Sequence, residues 1–80
     1  MAKQDSDVYA DYLHDLGTLI REMAFDAKAR AEASGRAPFD VGYMAGFHRV
    51  VSLMQQQAEA FGVPVERLAL DGLDADDELV

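Results

Sequence analysis

The residues best placed to do chemistry lie near the start of the chain. Asp11, His14 and Asp15 stand close together. An aspartate three positions before a histidine shares its helix face, the spacing by which helical bundles hold metal ions. Such a centre also needs ligands on a facing element. The other histidine is His48, and no carboxylate stands one turn before it. Projected at about 100° per residue, His14 falls on a polar helix face and His48 at the edge of an apolar stripe, so neither aims into a core. No metal site and no cofactor is expected. A metal-dependent enzyme or carrier, assembled at an interface from Asp11, His14, Asp15 or His48, is the alternative reading.

Other reaction chemistry finds less support. There is no cysteine, which removes thiol catalysis, thiolate metal sites and disulfides. Ser6, Ser34 and Ser52 sit in no nucleophile elbow. Gly42 and Gly46 fall inside a helical pattern rather than between a strand and a helix, so they make no phosphate loop. The acids Asp71, Asp74, Asp76, Asp77 and Glu78 lack the order of a calcium loop. The chain is therefore read as no enzyme.

Two surfaces suggest a partner instead. Phe25 projects onto the polar side of the first helix, with Arg21, Thr18 and His14 further along that face. An aromatic beside an arginine is the composition of an interface hot spot. At the C-terminus, Leu70, Leu73, Leu79 and Val80 are set among acids, as in a segment that orders on a basic groove. Leu73, Asp74, Asp76 and Asp77 are its candidate contacts.

The net charge of −8, from 15 acidic and 7 basic side chains, repels phosphate backbones and anionic membranes. Neither nucleic acid nor membrane is an expected partner; a basic protein is. The polar start, MAKQDSD, has no apolar leader stretch, and a cytoplasmic location is expected.

The elements that must carry these residues are helical. Tyr9, Leu13, Leu16, Ile20, Met23, Ala27 and Ala31 step by threes and fours, predicting a helix from Ser6 to Ala33 closed by Gly35. Met44, Phe47, Val51, Met54, Ala58 and Phe61 predict a second, from Val41 to Phe61 and closed by Gly62. Asp40 is its expected N-cap, with Phe39 stapled on Met44. Pro64 is expected to open a short third helix to Leu70, folding back over Val8, Tyr9 and Tyr12. Residues 1–70 form the expected domain, and 71–80 an acidic, mobile tail.

A short connection makes the two long helices antiparallel. With the turn near Ala37, residues whose numbers sum to about 74 face each other. Phe47 then meets Ala27, Met44 meets Ala31, Leu16 meets Ala58, Val51 meets Met23 and Met54 meets Ile20. Arg49 is expected beside Glu22 and Asp26.

The apolar surface is wider than one hairpin contact uses. Val8, Tyr12 and Leu19 widen the first stripe; Tyr43, Val50, Gly46, Leu53, Gly42 and Ala60 widen the second. An 80-residue chain is also marginal without added support. The expected fold is all-α, an antiparallel helical hairpin plus a short third helix that pairs into a four-helix-bundle homodimer. Tyr12, Leu19, Gly42, Gly46 and Leu53 are its expected interface. The expected function is a non-enzymatic acidic protein–protein interaction module: an adaptor, a regulator or a neutraliser of a basic partner. A structural subunit of a larger assembly is a further alternative.

Overall fold

The structure, a computed structural model, describes residues 5–80. Among these residues, helix α1 spans Asp5–Ala33 and helix α2 spans Pro38–Ala60. A 3₁₀ turn follows at Val65–Leu68, then one short helix, α3, at Ala75–Glu78. The two long helices pack against each other as an antiparallel hairpin, as their stripes and short connection require.

One device closes three segments. After α1, the Arg36 amide donates to the Ala31 carbonyl (2.7 Å) and the Gly35 amide to Glu32 (3.2 Å), with Gly35 at φ 67°. After α2, Val63 donates to Ala58 (2.8 Å) and Gly62 to Glu59 (3.1 Å). After the 3₁₀ turn, Leu70 donates to Val65 and Ala69 to Glu66, both at 3.1 Å. Each pair satisfies carbonyls that a helix end would leave open, using left-handed residues: Gly35 and Arg36 after α1, Gly62 after α2 and Ala69 after the 3₁₀ turn.

Helix α2 starts three residues before its expected first position. Ala37 is the N-cap, without a side-chain bond, and Pro38 takes the first turn, where its missing N–H costs nothing. Asp40 therefore lies inside the helix. Phe39 is exposed and stacks on Tyr43, with ring centroids 6.3 Å apart, rather than stapling Met44.

The core along α2 follows the expected stripe: Met44, Val51 and Ala58 are buried, and Phe47 and Met54 pack beside them. Phe61 is exposed. On α1 the expected stripe is kept at Ala27 and Ala31, which are buried, and at Leu13 and Ile20, which pack against the core. Elsewhere the buried line is turned by one position: Gly17 and Ala24 are buried, whereas Tyr9, Leu16 and Met23 are exposed. Met44 is buried in one cluster with Ala27 and Ala31, and Phe47 packs against it. Val51 and Ala24 are buried in a second cluster, whereas Met23 is exposed.

Gly17 explains the turn. A Cβ built at this position would lie 1.7 Å from the Leu68 carbonyl oxygen. The backbone of the 3₁₀ turn presses directly onto α1, and this approach admits only glycine there. The turn thus sits beside Gly17, while Val8, Tyr9 and Tyr12, which it was expected to cover, remain exposed.

Replacing Gly17 with alanine should cost about 1–3 kcal/mol, the range for forcing atoms into a packed contact. An open helical position would instead gain up to about 1 kcal/mol from the same change. Urea unfolding of Gly17→Ala distinguishes the two signs.

Candidate interaction face

The C-terminal segment covers one face of the hairpin. Leu70, Leu73, Ala75 and Leu79 are buried in one cluster with Ala24 and Val51. The tail is expected to make a few hydrophobic contacts; in the structure its leucines share one cluster with the hairpin, on both sides of residue 70. Their apolar side chains recur every few positions beneath an acidic exterior, so each acid stays in water while its neighbour goes inward.

Polar side chains of the hairpin hold this segment by its backbone. Arg21 Nη1 donates to the carbonyls of Ala69 (3.1 Å) and Asp71 (2.6 Å). Gln55 Nε2 donates to those of Leu70 (3.1 Å) and Leu73 (2.9 Å). Lys28 Nζ donates to the Val80 carbonyl. Lys28 also bridges Glu32 at 3.0 Å, and its hydrogen bond and charge hold that exposed carboxyl below its usual range. His48 Nε2 lies 2.9 Å from Asp76 Oδ1.

The first expected partner surface is therefore largely committed within the chain. Arg21 binds the C-terminal segment, and its guanidinium lies 5.8 Å from the Phe25 ring centroid. Phe25 keeps 37% of its surface in solvent. Thr18 Oγ1 donates to the His14 carbonyl (3.0 Å), a bond along the helix rather than toward a ligand.

The second surface changes more. Leu73 is buried and unavailable to a partner. Asp74 caps α3, accepting from the amides of Asp76 (3.1 Å) and Asp77 (3.4 Å), while Glu78 Oε2 accepts from the Asp74 amide at 2.9 Å. Asp76 and Asp77 are exposed.

Asp11, His14 and Asp15 share a shallow dip with Tyr12. Among the described residues, no group of three histidines or carboxylates is placed to hold a metal ion. No helix among them is long and apolar enough to cross a membrane.

Among the described residues, none covers the opposite face of the hairpin. Tyr12, Leu19 and Leu53 expose 67%, 48% and 45% of their surface, and Val8, Leu16, Met23, Tyr43 and Val50 are exposed as well. On a helical wheel the α1 members share one flank, as do the α2 members, each on the side away from Gly17 and Gln55. The Arg30 guanidinium, 5.4 Å from the Tyr43 ring centroid, joins the two flanks across the hairpin. Cβ atoms at Gly42 or Gly46 would meet nothing within 4 Å, and these glycines line an apolar groove with Tyr43, Phe47 and Val50. All five expected interface residues thus lie on open surface. Leu16 and Met23, read as core, belong to it too.

No protein-family model, curated protein or solved structure matches this chain.

Truncating Leu79 to alanine should destabilise the whole fold by about 2–4 kcal/mol, the cost of emptying a buried leucine site. Thermal or urea unfolding checks it; an unchanged midpoint would mean that the C-terminal segment contributes no packing.

Proposed function

We propose that this protein is a non-enzymatic protein–protein interaction module that works as a homodimer in the cytoplasm. The open faces of two hairpins pack together as a four-helix bundle, and the acidic exterior engages a basic protein.

One observation carries this reading: the described residues cover the hairpin on one face only. The other face exposes tyrosine, leucine, valine and methionine side chains from both long helices. Solvated apolar patches of this extent mark interaction sites on small proteins. The proportions agree. The chain measures 50 × 26 × 17 Å, with a radius of gyration of 14.4 Å against about 11.6 Å for a compact domain of this length. Its accessible surface of 5476 Å² exceeds by about 700 Å² that of a compact monomer of the same mass. A standard interface takes about 800 Å² from each partner. A second slab on the open face would bring the assembly to ordinary compactness.

The charge supports the second half of the reading. An acidic exterior accelerates encounter with basic partners and disfavours nucleic acid. Capture of such a partner should weaken as salt is raised.

Sedimentation equilibrium over a wide concentration range tests the dimer. The wild-type chain should approach twice its monomer mass, and its melting temperature should rise with concentration. Leu19→Glu with Leu53→Glu should give monomers of unchanged helicity, because both side chains are exposed in the single chain. A wild-type chain that stays monomeric at every concentration overturns the reading.

A further inference from the structure

We propose that the two-fold axis of the dimer runs parallel to the helices, placing α1 of each copy against α2 of the other. An ion pair between Arg49 of one copy and Glu22 and Asp26 of the second selects this arrangement. The proposal rests on the dimer reading above.

Two charged margins border the open face. Glu22 and Asp26 lie one turn apart on the outer edge of α1, with Asp15 further along the same edge; all three are exposed. Arg49 stands exposed on the outer edge of α2. Their expected pairing within one chain is not made. Among the described residues, Arg49, Glu22 and Asp26 form no ion pair, and wheel projection sets the two margins on opposite sides of the hairpin. Arg49 is nevertheless level with the acids: the Arg30 guanidinium lies over the Tyr43 ring, and in antiparallel helices this puts Arg49 at the height of the turn between Glu22 and Asp26.

Two slabs can be laid face to face about a two-fold axis in two simple ways. With the axis along the helices, α1 of the second copy lies under α2 of the first, and heights are preserved. The outer edge of α2 then runs beside the outer edge of α1 from the other copy. Arg49 meets Asp26, with Glu22 one turn along, and symmetry repeats the contact at the other margin. With the axis across the helices, α1 lies on α1 and α2 on α2. The acidic edge then runs along its own copy, and Arg49 approaches the arginine-bearing edge. Like charges face each other at both margins, and opposite charges at neither. Electrostatic complementarity at a rim decides between arrangements that bury similar apolar area.

Charge exchange tests the assignment, because all three positions are exposed and helicity reports that each variant still folds. Arg49→Glu alone should weaken self-association about ten-fold, since two symmetric pairs are lost and each is worth up to about five-fold. Glu22→Arg with Asp26→Arg should do the same. Mixed together, the two variants should form a heterodimer within about two-fold of wild-type affinity, because both margins then carry opposite charges again. Native mass spectrometry of the mixture reads the species directly.

If the variants associate as wild type does and mix at random, or if Glu22→Arg with Asp26→Arg alone tightens the dimer, the axis assignment is overturned. A monomeric wild-type chain instead removes the dimer itself, and is seen before any variant is compared.

Discussion

The carbonyl of Leu68 occupies the space where a side chain at position 17 would stand. That contact fixes where the chain goes after α2. It brings the 3₁₀ turn onto one side of α1 and directs the following residues along the same side. Leu70, Leu73 and Leu79 then close over Ala24 and Val51. Among the described residues, none covers the other side. The asymmetry between a finished face and an open one follows from one close backbone approach, and the proposed function follows from that asymmetry.

The finished face is held by an uncommon division of labour. Apolar side chains supply the burial, but the hydrogen bonds from Arg21, Gln55 and Lys28 all end on backbone carbonyls. A segment too short for regular structure would otherwise leave those acceptors without protein partners. Long polar side chains on the helices thus do for it what a neighbouring strand does for a sheet edge. The acids of the segment are free to face water or, like Asp74, to cap a turn.

The hairpin was legible in the sequence because its signals agree. Gly35 and Gly62 close helices, Pro38 opens one, and the α2 stripe sits where its period places it. The α1 stripe holds at Leu13, Ile20, Ala27 and Ala31 and fails at Leu16 and Met23, because a hydrophobic reading ranks by size. Leu16 and Met23 outweigh Gly17 and Ala24, yet the smaller residues are buried because backbone must pass close by. Nothing in a pattern of side chains announces a carbonyl arriving from fifty residues away. The C-terminal leucines are visible among their acids, but nothing in the pattern says whether they bury against another chain or, as here, against Ala24 and Val51 of their own. The excess of apolar surface is legible too: Tyr12, Leu19, Gly42, Gly46 and Leu53 lie beyond what one hairpin contact uses, and all are exposed in the single chain.

Distance along the chain separates the two faces in time as well. The hairpin joins neighbours in sequence, whereas the Lys28–Val80 bond spans 52 positions. Local contacts form early, and such distant ones wait for the loop between them to close. In any chain that has paired its helices before that closure, both sides of the hairpin are oily. Crowded refolding should favour clumping at that stage, and dilution should favour a correct product.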